Sequence, residues 1–535
     1  MVYLEASPPD LRHEYSFLFN QNSLSFLADL IATFEADYDK ILQERQNRAV
    51  TVSQGDFKPI FKNRHILSDW KINELPKKLQ NRKLDLGDCA PSDKQHLVNA
   101  LNADVQGVQL DFDDGFCPTW ENIIQGIYNI SQAARSKLPG MQKTIEKCPV
   151  LMMRPRAFNM IEHHCMIRGR KVPGALFDFA LLMHHNGKLL SEMGVGPYFY
   201  LSKIESAEEA ALWNKIFIWT QDKLNIPQGT IKACILIENI LAAFEMEDIL
   251  YAIKDHAIGL NCGIWDYSAS IIQKFGHNEE YLIPDRNKYV NVGKTFLKNY
   301  MKLVVRVCHD HGALATGGMV AKLLPKDTKT EHYQNVKKAI QDGKASEIQL
   351  GVDGFLVFDM RAVEALKELW DQHTTKENQV HVLPNIAQVT PESLLKVPKG
   401  VVTIEGLRHN LNVSLLFIYH WLLGKGTFIY NQSVEDSATA EISRCQLWQW
   451  LRHKVPIENY ENQLVIYPWL MKELQNEVYR ASKRYCKLYI HKKLIMIAKS
   501  FLIEIITSRH PPEFITTYLN DILHSKLGHR LIGKL

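Results

Sequence analysis

From about residue 82 the chain alternates two kinds of apolar pattern. Short continuous runs (RKLDL, VQLDF, PVLMMRP, PYFYLSKI, KACILIE, IGLNCGI, ALATGGM and GFLVF) are separated by longer stretches with helical spacing, such as PTWENIIQGIYNI, ALFDFALLMHH and AEEAALWNKIFIWTQDKL. The short runs read as strands buried on both faces, and the amphipathic stretches as helices covering a parallel sheet. Eight such units predict an α/β fold closed into a (β/α)8 TIM barrel, with a doubly wound open sheet as the alternative. Before residue 80 the pattern is polar and helical. There Phe26, Leu27, Leu30, Phe34, Tyr38 and Ile41 recur at helical spacing. After about residue 436 the strand signals stop and helical patterning returns. The expected organisation is residues 1–80, 81–430 and 431–535.

Composition narrows the partners. The chain has 535 residues, 46% of them hydrophobic and 23% charged, values typical of a soluble globular protein. Its 63 basic and 59 acidic residues nearly balance and leave no basic face for nucleic acid. The most apolar late stretch, LIMIAKSFLIEII, contains Lys499 and Glu504 and is too short to span a bilayer, so no membrane partner is expected. Nine cysteines stand singly, without zinc-ligand or disulfide spacing, which points to a reducing compartment. The N-terminal MVYLEASPPD has no signal-peptide pattern. The terminal Gly-Lys-Leu is a weak variant of the peroxisomal Ser-Lys-Leu address. The expected location is therefore cytoplasmic or peroxisomal.

In a parallel barrel, catalytic groups project from the carboxyl ends of the strands. That rule selects Arg154, Glu238 and Asp266, together with Asp111, Asp113, Asp114, Lys203 and Glu205. Glu238 and Asp266 suit Mg2+, a hard cation that takes oxygen ligands; strand-end carboxylates also bond backbone amides or basic neighbours. Arg154 is suited to hold an anionic substrate or an enolate oxygen, or to pair with a rim carboxylate. The glycines of ATGGM, Gly317 and Gly318, fit either a turn or a close approach to a ligand. The adjacent histidines His163–His164 and His184–His185 lack metal-ligand spacing and read as packing or surface residues. The run Lys483, Arg484, Lys487, Lys492, Lys493 reads as a solvated face. In NQSVEDSATAEISRCQLWQW, Glu435 and Asp436 precede a helix. On the residues alone, helix capping is favoured over proton transfer there.

Taken together, HLVNALNADVQ, LDFDDGFCPTWENIIQGIYNI, LMMRPRAFN, VPGALFDFALLMHHN, GPYFYLSKIES, LIENILAAFEMEDILYAIKDHAIGLNCGIWDY, GALATGGMVA and VEDSATAEISRCQLWQW resemble the malate synthase family in its shorter A-type form. The resemblance runs through about residues 20 to 520. It implies a barrel with an N-terminal helical clasp and a C-terminal helical plug. It also implies a Mg2+-dependent condensation of acetyl-CoA with glyoxylate, followed by thioester hydrolysis to malate and CoA. On the matching motifs, Arg154 corresponds to the catalytic arginine, Glu238 and Asp266 to the metal ligands, and Asp436 to the catalytic base. Gly263, Ile264, Trp265 and Asp266 form the turn expected to hold glyoxylate. Within the tail motif, Glu435 keeps the helix-terminus role and Glu441 with Arg444 reads as an i, i+3 pair.

Three segments depart from the family pattern. Ala157 stands where the family has the glycine of RPRG, and Ile264 where it has the arginine of GRWDY. Asp359–Met360 stands where it has His-Pro, close to where CoA is expected; an added carboxylate there would repel CoA phosphates. Two other functions fit the same residues: a related barrel lyase acting on another acyl-CoA or α-keto acid, and an inactive paralogue that binds without turnover.

Overall fold

The computed structural model describes residues 2–61, 69–460 and 463–525. The terminal Gly-Lys-Leu lies outside them. The chain forms two compact units.

The first unit (1–48, 60–263 and 301–388) contains the barrel. Its strands are β1 (Leu84–Cys89), β2 (Gly107–Asp111), β3 (Val150–Arg154), β4 (Tyr198–Leu201), β5 (Lys232–Ile237), β6 (Ala257–Cys262), β7 (Leu314–Val320) and β8 (Gly354–Val357). Each pairs in parallel with the next, and β8 closes onto β1 through Phe355 opposite Leu84. Closure removes the sheet edges and excludes the doubly wound alternative. Every residue of β1, β2, β3, β5 and β6 is buried, which is why these strands read as continuous apolar runs rather than alternating ones. Met152, Tyr200, Cys234 and Leu236 belong to one buried core cluster. Beside it Arg82 pairs with Asp85 and donates to Tyr200 Oη at 3.1 Å, so the buried guanidinium is compensated.

Outside the barrel, helix α1 (Gln21–Ser53) buries Phe26, Leu27, Leu30, Phe34, Tyr38 and Ile41, the stripe read from the sequence. A small antiparallel sheet of Val2–Leu4, Ile161–Ile167 and Arg170–Pro173 was not foreseen in the pattern. Helix α2 (Gly174–Glu192) follows it.

The second unit (49–59, 264–300 and 389–535) is mainly helical. It contains α3 (Ile264–Phe275), a buried helix Ile404–Trp421, α5 (Ser437–Arg452) and the helices Tyr467–Tyr485, Tyr489–Thr507 and Ile515–Leu523. Helix α4 (Glu331–Leu350) belongs to the barrel unit. A hairpin of Phe428–Tyr430 and Ser433–Glu435 precedes α5. Its two turn residues, Asn431 and Gln432, have φ of 47° and 59°, the conformation that matches strand twist in a two-residue hairpin. The apolar stretch around Leu494 is a helix with one buried face. Among the described residues no helix is long and apolar enough to cross a membrane.

Candidate active site

Parallel register sets the first contacts. Arg154, last in β3, lies opposite Asp111, last in β2. The backbone then turns back on Asp111, whose Oδ1 accepts the Asp113 N–H at 2.7 Å and whose Oδ2 accepts the Gly115 N–H at 2.9 Å. This brings three carboxylates to one guanidinium. Arg154 Nη1 is 3.4 Å from Asp111 Oδ2, Nη2 is 3.1 Å from Asp113 Oδ2, and Nη2 also bonds Asp114 Oδ2.

From the end of β4, Lys203 enters the same cluster. Its Nζ is 2.9 Å from Asp114 Oδ1, 3.4 Å from Asp113 Oδ2 and 3.9 Å from Glu238 Oε1. Its own backbone N–H donates to Glu238 Oε1 at 2.6 Å. Lys203 has φ of 52°, a left-handed conformation that lets one residue address Glu238 from both main chain and side chain. Glu238 follows the last residue of β5. A Cβ on Gly263 would lie 2.7 Å from the Glu238 Cβ, so only glycine fits beside this carboxylate.

All six groups are buried. Burial pushes the Asp111 carboxyl up to about 6, with Arg154 opposing and Asp114 and Asp113 reinforcing the shift. Burial also raises Glu238, against the pull of Lys203 and Arg154. For Arg154, burial works against its charge, yet Asp111, Asp114 and Asp113 hold its pKa above the ordinary value. Four carboxylates face two cations, which leaves an excess of negative charge in a dry site. Oxygen atoms of Asp114 and Glu238 lie within 4.8 Å of each other. Hard oxygen donors with uncompensated negative charge fit a divalent cation such as Mg2+. Asp114 is the member that sequence reasoning had not singled out as a ligand; its signal was the DFDD turn after β2.

Other rim expectations resolve differently. Glu205 is turned away to Asn239, at 3.1 Å, and Arg48, at 3.9 Å. Gly317 lies within β7 and not in a turn, and its missing Cβ makes room for Glu347 of α4, whose Oε2 would lie 2.0 Å from a Cβ. His164 stacks on Trp120, and His185 bonds the Leu18 carbonyl, so both are packing residues. Asp359 is not a free carboxylate facing a ligand. It accepts both Arg361 Nε at 2.9 Å and Nη2 at 2.7 Å, together with the Leu324 N–H at 2.8 Å. Its negative charge is paired with Arg361 where it stands.

In the second unit, Ile264, Trp265 and Asp266 form the first turn of α3, with Asp266 buried. Asp436 is the N-cap of α5. Its Oδ1 accepts the Thr439 N–H at 3.0 Å, and Thr439 Oγ1 accepts the Asp436 N–H at 3.0 Å, a reciprocal capping box. Glu435 stands immediately before this N-cap, and Thr439 of the first turn is among the groups that act on its carboxyl. Glu435 ends the hairpin strand, is buried, and sits 3.8 Å from Arg286. Burial raises its carboxyl, and Arg286 opposes the shift. The Glu441–Arg444 pair forms as read.

Sequence reasoning missed Arg286. This buried guanidinium lies 5.0 Å from the centre of the Trp265 ring, 3.1 Å from His409 Nε2 and 3.8 Å from Glu435. Burial lowers its pKa, while Glu435, Asp285 and Asp436 support its charge. It sits in a short helix, RNKY, whose polar pattern gives no sign that the arginine is buried.

A closed parallel barrel with an arginine, a lysine and four carboxylates gathered at its strand ends is the frame of a barrel enzyme with a candidate metal site. The model of the malate synthase TIM barrel domain matches residues 150–397, and that of the malate synthase C-terminal domain matches residues 401–523. The chain belongs to the malate synthase family. It is 35% identical over 483 residues to malate synthase of Dictyostelium discoideum, covering 87% of this chain and 88% of that one. To malate synthase A of Escherichia coli it is 35% identical over 452 residues, covering 83% and 84%. To the glyoxysomal malate synthase of Candida tropicalis it is 32% identical over 543 residues, covering 98% and 96%.

Proposed function

We propose that this chain condenses acetyl-CoA with glyoxylate and hydrolyses the resulting thioester, releasing malate and CoA. The observation that carries the reading is the buried cluster of Arg154, Lys203, Asp114 and Glu238 in a chain of this family. Glu238 and Asp266 are the proposed Mg2+ ligands, with Asp114 beside Glu238 as a further oxygen donor. When bound, the metal supplies Lewis-acid polarisation of the glyoxylate aldehyde.

The remaining work falls to side chains and backbone. The turn from Gly263 through Ile264 and Trp265 to Asp266 offers amides to glyoxylate. The acetyl methyl is a very weak carbon acid, and an ordinary aspartate of pKa about 3.9 is a poor base for it. Proton removal therefore requires the enolate oxygen to be stabilised as it forms, the role proposed for Arg154. Three carboxylate partners keep that guanidinium charged and aimed despite its burial. Asp436 is the proposed base. Its Oδ1 accepts the Thr439 N–H at 3.0 Å, which fixes the orientation of the carboxylate that is to take the proton. Cap and base are then two uses of one carboxylate. The same reading includes a cytoplasmic or peroxisomal location, supported by the glyoxysomal relative of Candida tropicalis.

The test is release of free thiol from acetyl-CoA and glyoxylate with and without Mg2+. Absence of thiol release at saturating substrates rejects the function. Asp436→Asn then separates the two roles of the carboxylate. Asparagine caps a helix about as well as aspartate, so folding is kept. Turnover falls by about a hundredfold to ten-thousandfold, the usual contribution of a general base. Normal turnover in this variant rejects Asp436 as the base.

A further inference from the structure

A cavity of about 330 Å³ lies wholly within the second unit. Its walls are the last turn of α1, helices α3 and α5, and the segment 510–513. One side is apolar, made by Ile272, Trp448, Pro511 and Pro512. The other carries Lys274 and Arg444. The volume is at the small end of ligand pockets, which run from about 300 to 1,000 Å³. It suits a single ring or a branched chain with one charged group.

Arg444 is fully buried and incompletely paired. Its Nη2 donates to Glu441 and to the Glu513 carbonyl at 2.7 Å, but Nε and Nη1 have no hydrogen-bond acceptor. Glu441 is already committed. Its Oε1 also accepts Gln273 Nε2 at 2.8 Å, and its Oε2 accepts the Ile515 N–H at 2.8 Å. A buried donor left unpaired is destabilising, because it has given up water without gaining an acceptor. Acceptor oxygens of an anion at this wall would relieve that cost.

The surrounding charge has the matching sign. Lys274 is paired with Glu513 at 2.6 Å and Arg444 with Glu441, while Arg452 and Arg509 add further positive charge. Arg452 lies 5.6 Å from the centre of the Trp448 ring. His277 meets the same ring edge-on at 5.0 Å. Burial lowers the His277 pKa, with Arg452, His510, His453 and Arg509 adding to the shift. The Trp448 indole is held in place by donation from Nε1 to the Ser508 carbonyl at 2.9 Å.

We propose that this cavity binds a small organic anion, its apolar body against Trp448, Ile272 and Pro512 and its carboxylate or phosphate group toward Arg444 and Lys274. None of these residues belongs to the set assigned above to Mg2+, glyoxylate or proton transfer.

The experiment is a tryptophan-fluorescence titration of the full chain with benzoate and with phenyl phosphate, using benzamide as the neutral counterpart. The expected result is a saturable change with at least one of the two anions and an affinity for benzamide at least about tenfold weaker, the loss expected when a charge-assisted hydrogen bond is removed. Trp448→Phe abolishes the signal, and saturating glyoxylate leaves the affinity unchanged. Arg444→Gln weakens binding but also strips Glu441 of its partner. Val50→Glu provides an independent check, because Val50 lines the cavity and is 53% exposed. A carboxylate there weakens binding of both anions and leaves benzamide unaffected. Binding of neither anion, equal affinity for benzamide, displacement by glyoxylate, or anion affinity unchanged in Val50→Glu each overturns the proposal.

Discussion

The backbone N–H of Lys203 and the side chain of Glu238 meet at 2.6 Å, and the Lys203 Nζ returns to within 3.9 Å of the same carboxylate oxygen. One residue in a left-handed conformation thus fixes Glu238 and offsets part of its charge. In Glu238→Gln the amide oxygen still accepts the Lys203 N–H, so the loop keeps its geometry, but the anionic donor is gone. Removing even outer-sphere partners of a metal costs about 10- to 100-fold in affinity. Loss of Glu238 itself is expected to weaken Mg2+ activation by about a hundredfold or more. Thiol release measured against Mg2+ concentration checks this, with Mn2+ binding followed by calorimetry as a readout independent of turnover. An unchanged metal dependence counts against Glu238 as a ligand.

Two residues beyond Arg154, Arg156 is fully buried between two carboxylates. It donates to Asp178 through Nε at 2.9 Å and Nη2 at 2.7 Å, and pairs with Glu162 at 2.8 Å. Arg156 and His164 hold the Glu162 carboxyl at about 2 despite burial. Arg156→Met leaves two buried carboxylates without their cation. Loss of one partner from a buried pair costs about 3–5 kcal/mol. Urea denaturation at neutral pH is expected to show a loss of that size. A change below about 1 kcal/mol would show that the pair contributes no more than a surface one.

Burial lowers the His256 pKa to about 4, with Lys232 adding to the shift and Asp255 opposing it. Its hydrogen bonds agree with a neutral ring: Nδ1 is 2.8 Å from Asn214 Oδ1, and Nε2 is 3.0 Å from Gln221 Nε2. Gln221 cannot reverse its amide cheaply, because its Oε1 accepts the Ile231 N–H at 2.9 Å. The unfolded chain therefore binds a proton near pH 6.5 that the folded chain refuses until about 4. Stability from this group is complete above about 6.5 and is lost as pH falls from there to about 4. The denaturation midpoint is expected to drop over that window, and His256→Gln to flatten the slope by about one proton. An identical slope in the variant would assign the acid sensitivity elsewhere.

The barrel was legible because its strands are buried on both faces. Lys232–Ile237 and Ala257–Cys262 read as continuous apolar runs, and Arg154 and Glu238 stood out as charged residues ending such runs. What escaped the pattern depends on backbone geometry and long-range contact. The left-handed φ of Lys203, which brings main chain and side chain to one carboxylate, leaves no mark on a lysine in a polar loop. Arg286 is buried by residues more than 100 positions away, Asn410 and Glu435 among them. The EDS motif gave two adjacent carboxylates, and only the capping geometry assigns the N-cap to Asp436.

Asp359 is held by Arg361 through two hydrogen bonds, but the two partners differ in exposure: the aspartate is buried, whereas the arginine side chain is 48% exposed. The pairing raises the Arg361 pKa, with hydrogen bonding to Asp359 as its largest cause. If CoA phosphates pass near this segment, the compensated pair is nearly neutral to them and the departure from the family's His-Pro is harmless. Arg361→Gln removes the compensation and leaves a buried negative charge behind. Its KM for acetyl-CoA is expected to rise at low ionic strength and to approach the parent value in about 1 M salt, where screening acts over about 3 Å. Asp359→Asn removes the charge and keeps an N-cap acceptor for the following turn, so its KM is expected to stay within about twofold of the parent at both salt concentrations. Steady-state kinetics at two salt concentrations distinguish the two variants. A KM for Arg361→Gln that is indifferent to salt would place the CoA phosphates away from Asp359.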